Sequence, residues 1–236
     1  MQNNKTAIIT GSGRGIGKAI AIGLAADGYD IALVSRTEKE LQETAHQIAK
    51  INSKIKTWVF PINVADEKSV TSCVGKIASE SGSVNVLVNN AGIYRQGTCD
   101  IDLKTFEEVI KINLTGSFNF CKAVVPYLKE QQSGYIFNIA SVRGIKAAEG
   151  IGAYCASKFA LRGLGESLFY ELLPYNVKVT TISPSWVETD MTKGSSSKPK
   201  VTIMPQDIFQ TVQYVMKLGV GACVREIAVD CSVDPL

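Results

Sequence analysis

Short apolar runs alternate with longer segments of helical period along almost the whole chain. The apolar runs with the length of a strand lie at residues 6–10, 31–35, 57–60, 84–88, 135–140, 177–183 and 226–229. The helical segments lie near residues 15–27, 38–50, 66–80, 102–130, 152–173 and 205–217. Such alternation is typical of βαβ units, and continuously apolar strands are typical of a parallel sheet that helices cover on both faces. The sequence therefore predicts an α/β fold: one doubly wound domain over residues 1–236, with a seven-stranded parallel sheet.

Composition and charge exclude several classes of function. The net charge of the 236-residue chain is only +3 and no run of basic residues occurs, so we expect no nucleic-acid partner. No apolar run approaches the roughly 18 residues that a membrane span requires, and the polar N-terminus leads into a strand without room for a signal peptide. Six scattered cysteines and one histidine, His46, favour neither a disulfide framework nor a metal site. We expect a cytoplasmic protein with reduced thiols, no bound metal and no membrane partner.

A glycine-rich turn joins the first predicted strand to the first predicted helix. Its glycines are Gly11, Gly15 and Gly17. Glycine permits the tight turn and a close approach of the backbone to a pyrophosphate, which then lies at the positive N-terminus of the helix. A glycine triplet alone is weak support, but the strand before it and the helix after it form the context that a dinucleotide site requires. We therefore expect this turn to bind a dinucleotide; the alternative is a merely flexible turn.

The end of the second predicted strand bears on which dinucleotide is bound. Sites for NAD place an acid about 20 residues after the glycines, where it holds the ribose 2′-hydroxyl. This chain has Ser35 and Arg36 there, and the first acid that follows is Glu38. A guanidinium forms charge-assisted pairs with a 2′-phosphate, and Arg14 in the glycine-rich turn offers a second cation. The sequence favours NADP(H), with NAD(H) as the alternative.

Two residues at helical spacing carry the predicted acid–base chemistry. Tyr154 and Lys158 stand at positions i and i+4, so their side chains share one face of the helix near residues 152–173. An isolated tyrosine has a pKa of about 10, and a nearby ammonium is expected to lower it toward the working range. Ser141 ends the preceding predicted strand, where its hydroxyl can hold a substrate carbonyl. The spacing alone is common by chance and gains meaning from the glycine-rich turn and Ser141.

The chain resembles the short-chain dehydrogenases/reductases in their compact single-domain form, over nearly its whole length. Residues 10–17 resemble the T-G-x-x-x-G-x-G turn of that family, and residues 89–92 match its N-N-A-G segment. Four more residues match the family's catalytic Asn, Ser, Tyr and Lys in order and spacing: Asn113, Ser141, Tyr154 and Lys158. The resemblance implies a Rossmann-type domain that interconverts a ketone or aldehyde and an alcohol by hydride transfer, with reduction as the expected direction.

The resemblance also implies a role for each residue of the site. Tyr154 would exchange the proton with the substrate oxygen, which Ser141 would position. Lys158 would bind the nicotinamide ribose and tune Tyr154, while Asn113 would hold a water that extends a proton relay to solvent. The residues expected to bind NADP(H) are Gly11, Ser12, Arg14, Gly15, Ile16, Gly17, Ser35, Arg36, Asn63, Val64, Asn90, Ala91, Gly92, Tyr154, Lys158, Pro184, Val187 and Thr189.

Three departures from the family pattern bear on the site and on assembly. Asn63 stands where the family usually has Asp beside the adenine, and because an amide both donates and accepts, we expect adenine binding to survive. Ser185 replaces the Gly that commonly follows Pro184. The chain ends without the family's usual Asp-Gly-Gly, so a tetramer is less firmly expected than cofactor binding.

We expect the substrate to be a small-molecule carbonyl compound or alcohol in contact with the loops after the fourth, fifth and sixth strands. These loops carry Tyr94, Arg95, Gln96, Arg143, Lys146, Glu149, Trp186, Val187 and Met191. The serine-rich segment 193–199 is expected to be a lid, or else a plain surface loop. The chain is also similar to the 3-oxoacyl carrier-protein reductases. Those enzymes often carry an arginine where this chain has Tyr170, so a carrier-bound substrate is only one option.

The long helical segments carry apolar residues on more than one face. These residues include Phe118, Phe120, Phe169 and Leu172. In the family these helices build a dimer interface, so a homodimer or homotetramer is expected; the alternative is that the residues only cover the sheet. Two rival functions stay open. A non-catalytic NADP(H) sensor would not need Tyr154 and Lys158, and a sugar-nucleotide epimerase or dehydratase would need a larger C-terminal region.

Overall fold

A parallel sheet forms the centre of the computed structural model, which describes residues 5–194 and 199–232. Its strands are β1 (Thr6–Thr10), β2 (Asp30–Ser35), β3 (Thr57–Pro61), β4 (Val86–Asn89), β5 (Gly134–Ile139), β6 (Val177–Pro184) and β7 (Glu226–Val229). All neighbouring strands pair in parallel, in the order β3-β2-β1-β4-β5-β6-β7. The predicted seven-stranded, doubly wound sheet is therefore confirmed.

Helices connect the strands. They are α1 (Gly15–Ala26), α2 (Glu38–Ile51), α3 (Glu67–Ser81), α4 (Leu103–Ile110), α5 (Gly116–Gln131), α6 (Gly152–Leu172) and α7 (Pro205–Lys217). Local sequence signals set several of their ends. The side chains of Asp66 and Asp102 accept backbone N–H groups in the first turns of α3 and α4, and α3 ends at Gly82 in the left-handed conformation.

Successive side chains of each strand point to opposite faces of the sheet and pack into two separate layers of the core. In β2, Ile31 and Leu33 pack into the layer that contains α1, α2 and α7, whereas Ala32 and Val34 pack into the layer of α3, α5 and α6. All four side chains are fully buried, which explains why the strand is apolar throughout. Burying one large aliphatic side chain contributes about 1.5–3 kcal/mol to folding, so both layers hold the sheet in place.

The connections of the sheet reverse direction between β1 and β4. From β1 the chain proceeds outward to β2 and β3, and it then returns to place β4 on the other side of β1. The loops that follow β1 and β4 therefore diverge at the carboxyl ends of these strands. Open α/β sheets leave a crevice for ligands at such a point.

The helix expected over residues 102–130 is interrupted. Between α4 and α5 lies a wide, π-helical turn, Lys111–Thr115, and it carries Asn113. Both ends of the Asn113 side chain bond to the backbone of Ile93, in the loop after β4, which fixes this turn to the sheet. The interruption thus coincides with a contact between segments that are distant in the sequence.

The apolar residues expected on several helix faces divide into two groups. Phe120 and Leu172 are fully buried and cover the sheet, which is the alternative to a role in a dimer interface. Phe118 is 47% exposed on α5, and Phe169 on α6 is partly buried. Phe159 on α6, which is not among the residues named from the sequence, is 42% exposed.

Part of the expected lid, residues 195–198, lies outside the described residues. Among residues 5–194 and 199–232, no helix has both the length and the apolar character for a membrane span. In the same ranges, His, Cys, Asp and Glu side chains form no group of three that could hold a metal ion. All six cysteines are free thiols.

Candidate active site

A cleft opens where the strand order reverses, at the carboxyl ends of β1 and β4. The structure brings most of the predicted cofactor residues to its walls. They are Gly11, Arg14, Gly15, Ile16, Ser35, Arg36, Asn63, Val64, Asn90, Ala91, Gly92, Tyr154, Lys158 and Thr189. Residues from the first and second halves of the chain therefore form one continuous site.

The glycine-rich turn is held against the segment that follows β4. Gly11 and Gly15 have positive φ angles of 65° and 54°, which glycine adopts without strain. A Cβ atom on Gly11 would lie 2.8 Å from Nδ2 of Asn90, so a side chain has no room there. Nδ2 of Asn90 donates to the carbonyl of Thr10 over 2.9 Å, and Oγ1 of Thr10 accepts the backbone N–H groups of Asn90 and Ala91. The N-N-A-G segment thus supports the shape of the turn.

The N-terminus of α1 offers free backbone donors to the cleft. Arg14 holds the N-cap position before the helix, and its own side chain makes no capping hydrogen bond. Gly15 and Ile16, the first residues of α1, line the cleft, while a Cβ atom on Gly17 would collide with the carbonyl oxygen of Gly11. Unpaired N–H groups, the helix dipole and the absence of side chains together suit a pyrophosphate. The turn therefore fits a dinucleotide.

Two arginines line the cleft. Arg36 follows β2 and is exposed. Arg14 forms an ion pair with Asp190 in the loop after β6, with 3.1 Å between Nη1 and Oδ2, and both side chains are more than half exposed. An exposed pair of this kind contributes at most about 1 kcal/mol, so Arg14 can exchange the carboxylate for a phosphate.

The predicted acid–base residues lie together beside the cleft, with Tyr154 and Lys158 in its wall. Ser141 follows β5, and its hydroxyl hydrogen-bonds the hydroxyl of Tyr154 on α6. Lys158, one turn further along α6, is only 5% exposed. Its Nζ donates to the carbonyl oxygen of Ile139 over 2.9 Å and lies 5.7 Å from the centre of the Tyr154 ring. Tyr94 packs edge-on against the same ring, with 5.4 Å between the ring centres.

The pKa of Tyr154 is shifted in the direction opposite to the sequence expectation. Burial raises it to about 12, and the hydrogen bond from Ser141 and the charge of Arg143 offset this only in part. The expected lowering by the ammonium of Lys158 was wrong for this state of the protein, because Lys158 is directed at the Ile139 carbonyl and burial dominates. Burial also lowers the pKa of Lys158, to about 8. At neutral pH the tyrosine is therefore protonated and the lysine is mostly charged.

Asn113 fixes the geometry between these groups. Its Oδ1 accepts the N–H of Ile93 over 2.8 Å, and its Nδ2 lies 3.0 Å from both the Ile93 carbonyl and Oγ of Ser157. A Cβ atom on Gly92 would lie 3.4 Å from Oδ1 of Asn113 and 3.7 Å from Nζ of Lys158. The side chain thus connects the loop after β4 to α6, and the water-holding role of Asn113 stays a prediction.

Comparison with known proteins bears directly on this geometry. A family profile described as short chain dehydrogenase matches residues 5–200. The chain belongs to the short-chain dehydrogenase family. An uncharacterized oxidoreductase of Staphylococcus aureus is 32% identical over 228 residues, which cover 96% of each chain.

Solved structures agree with this assignment. A β-ketoacyl-[ACP] reductase from Bacteroides thetaiotaomicron is 34% identical, with a TM-score of 0.86 and coverage of 98% of each chain. An alcohol dehydrogenase from the archaeon Thermococcus sibiricus, complexed with 5-hydroxy-NADP, is 30% identical, with a TM-score of 0.89 and coverage of 98% of each chain. Short-chain dehydrogenases are oxidoreductases that use NAD(P)(H) and act on small molecules, and this chain is one of them.

Some residues predicted to bind cofactor in this short-chain dehydrogenase lie behind the cleft wall. The hydroxyl of Ser12 accepts the N–H of Val34 over 2.9 Å and ties the glycine-rich turn to β2. Pro184 is buried at the end of β6, and Val187 packs into the core beside Ile203. Their side chains support the loops that line the cleft, so any contact of theirs with a dinucleotide stays a prediction.

Several cleft residues of the short-chain dehydrogenase carry no sequence signal. They include Gly13, Thr37, Glu40, Ile62, Ile112 and Asp190. Ile62 and Ile112 form an apolar wall of the cleft beside Val64. Their place in the cleft depends on the packing of the π-helical turn against the loop after β3, which the sequence does not show. Glu40 sits in the first turn of α2, and its approach to the glycine-rich turn is a tertiary contact.

Proposed function

We propose that the protein is an NADP(H)-dependent oxidoreductase that interconverts a ketone or aldehyde and an alcohol, with Tyr154 as the general acid/base. One observation carries this proposal. Ser141 hydrogen-bonds Tyr154, and Tyr154 and Lys158 line the same dinucleotide-type cleft as Arg14 and Arg36.

The acid–base residues suit reduction in particular. The dinucleotide supplies the hydride, and the protein must deliver a proton to the substrate oxygen. Because the pKa of Tyr154 is raised to about 12, its hydroxyl keeps the proton at neutral pH until the oxygen develops negative charge. Ser141 holds that oxygen beside Tyr154, and its hydrogen bond to Tyr154 stabilises the tyrosinate that remains. Lys158, in the wall of the same cleft, would bind the nicotinamide ribose. Oxidation would first require removal of the tyrosine proton.

The preference for NADP(H) rests on the two arginines. Arg36 is exposed, and the ion pair of Arg14 is weak, so both guanidinium groups are open to a 2′-phosphate. An NAD(H)-dependent dehydrogenase is the alternative. A protein that only senses NADP(H) is disfavoured, since such a sensor has no use for the buried ammonium of Lys158 beside Tyr154.

We further propose that residues 1–236 act as one domain, in the cytoplasm, within a homodimer or homotetramer. The exposed rings of Phe118 and Phe159 support the assembly, because large aromatic side chains are enriched in subunit interfaces. Sedimentation of the wild type beside a double variant, Phe118→Ser with Phe159→Ser, tests it. Equal, monomeric mass for both proteins would contradict the proposal.

The function is tested by NADPH oxidation, followed by absorbance, with a panel of carbonyl substrates. The solved relatives suggest a β-ketoacyl thioester and a simple ketone as the first two, and a diketone, a quinone and a sugar complete the panel. We expect turnover with at least one class. Tyr154→Phe should abolish turnover while NADPH binding stays near the wild-type value. Full activity in Tyr154→Phe would refute the mechanism, and preserved NADPH binding without turnover of any substrate would favour the sensor.

A further inference from the structure

An acid that the sequence does not place in the cofactor site reaches the glycine-rich turn. Glu40, in the first turn of α2, is half-buried and lines the same cleft as Arg14 and Arg36. Its position is evident at Gly13, where a Cβ atom would lie 2.8 Å from Cβ and 2.9 Å from Oε2 of Glu40. The carboxylate therefore lies directly against the turn expected to bind the dinucleotide.

The close approach of Glu40 explains why residue 13 is glycine. Gly13 is not among the glycines with positive φ, so the backbone itself does not demand glycine there. The absent side chain leaves the space that Glu40 fills. Thr44, fully buried on α2, fixes the arrangement, since its Oγ1 lies within hydrogen-bonding distance of the carbonyl oxygens of Ser12, Gly13 and Glu40. The carboxylate is thus held near the turn by packing and hydrogen bonds.

The part of the chain that the structure describes supplies no cation that neutralises the charge of Glu40. Among the described residues, no lysine or arginine forms an ion pair with it. Beside it, Oγ of Ser35 is buried and has no hydrogen-bond partner in the described part of the chain, and it would lie 3.4 Å from a Cβ atom on Gly13. The carboxylate of Glu40 and the hydroxyl of Ser35 therefore both lie close to Gly13 in the glycine-rich turn.

The end of the cleft near β2 therefore combines opposite charges. Arg36 attracts a 2′-phosphate, whereas a carboxylate repels that group and accepts a hydrogen bond from a ribose 2′-hydroxyl. We propose that Glu40 is a specificity residue that weakens the binding of NADPH relative to NADH and so lets this site accept both dinucleotides. This proposal rests on the proposed function, because it concerns the same cofactor site.

Direct binding measures this effect without turnover. The wild type and each variant are titrated with NADPH and with NADH, and the dissociation constants are read from nucleotide fluorescence. Glu40→Gln keeps the shape of the side chain and removes its charge. Glu38→Gln is the matched control, because Glu38 lies in the same turn of α2 but is exposed and outside the cleft. Glu40→Lys gives the larger change in the same direction.

We expect Glu40→Gln to bind NADPH about five-fold more tightly than the wild type, and to bind NADH with a dissociation constant within about two-fold of the wild-type value. A change of about five-fold is the size expected when one charge is removed near the phosphate and solvent ions partly screen their repulsion. The gain should shrink in high salt, which a purely structural role of Glu40 would not produce. Glu38→Gln should leave both constants within about two-fold of the wild type. An unchanged ratio in Glu40→Gln, or an equal shift in Glu38→Gln, would overturn the proposal while the proposed function stands. A wild type that binds neither dinucleotide would overturn both.

Discussion

The buried ammonium of Lys158 should make the folded protein less stable than it would be without that charge. Burial lowers the pKa of Lys158 from its ordinary 10.5 to about 8. At about 1.4 kcal/mol per pKa unit, the charged lysine costs the folded state about 3 kcal/mol at neutral pH. Lys158→Met removes this cost and also removes the hydrogen bond to the Ile139 carbonyl, which offsets about 1 kcal/mol. We therefore expect the free energy of unfolding to rise by about 2 kcal/mol near pH 7.

The pH dependence of the stability difference between Lys158→Met and the wild type distinguishes the cost of a buried charge from an ordinary packing effect. Between about pH 8 and about pH 10.5, the folded wild type has released the Lys158 proton while the unfolded chain still binds it. Wild-type stability therefore rises with pH relative to Lys158→Met, and the advantage of the variant should shrink by about 2 kcal/mol by about pH 9.5.

Urea unfolding of both proteins near pH 7 and near pH 9.5 gives these differences, since all other titrating groups cancel in the comparison. Lys39→Met is the control, because Lys39 is exposed on α2 and its replacement removes no buried charge. If the Lys158→Met advantage is absent near pH 7, or identical at both pH values, then the burial of charge does not govern this lysine.

Three further predictions concern activity. Arg36→Asp should weaken NADPH binding by about 10- to 100-fold through the loss of a charge-assisted contact, and an unchanged NADPH-to-NADH preference would remove Arg36 from the cofactor site. The value of kcat/KM for NADPH should fall as pH rises through about 8, since Lys158 loses its proton there in the free enzyme; a flat profile up to about pH 10 would contradict a role for the ammonium. Tyr94→Leu should lower kcat several-fold with little change in NADPH binding, because the edge-on ring contact of about 0.5–1.5 kcal/mol orients Tyr154; Tyr94→Phe keeps that contact and should retain wild-type kcat.

Much of the fold was predictable because its signals are local. Strands such as β2 are apolar along their whole length, since both faces of the sheet are covered, and the glycine-rich turn lies between a strand and a helix. Gly11 and Gly15 line the cleft as expected. These features depend only on neighbouring residues, so the sequence displays them directly.

The parts that escaped prediction depend on contacts between distant segments. Glu40 approaches Gly13 at a place where Thr44 hydrogen-bonds α2 to the glycine-rich turn. The direction of the Tyr154 pKa shift follows from the depth of burial of its hydroxyl, which the i, i+4 spacing to Lys158 does not reveal. In each case the residue type was visible in the sequence and its surroundings were not.

The π-helical turn Lys111–Thr115 allows one helical segment to direct Asn113 toward Ile93 and Phe120 toward the sheet. An α-helix advances by about 100° for every residue, so α4 and α5 on one regular helix would have a fixed rotational relation. The wider turn changes that relation, and Asn113 can face Ile93 while Phe120 on α5 faces the sheet. Deleting a residue within this turn would straighten the helix and force either the amide out of the site or the phenyl ring out of the core. Insertions and deletions should therefore be tolerated far less at this turn than in the exposed turns elsewhere on the molecule.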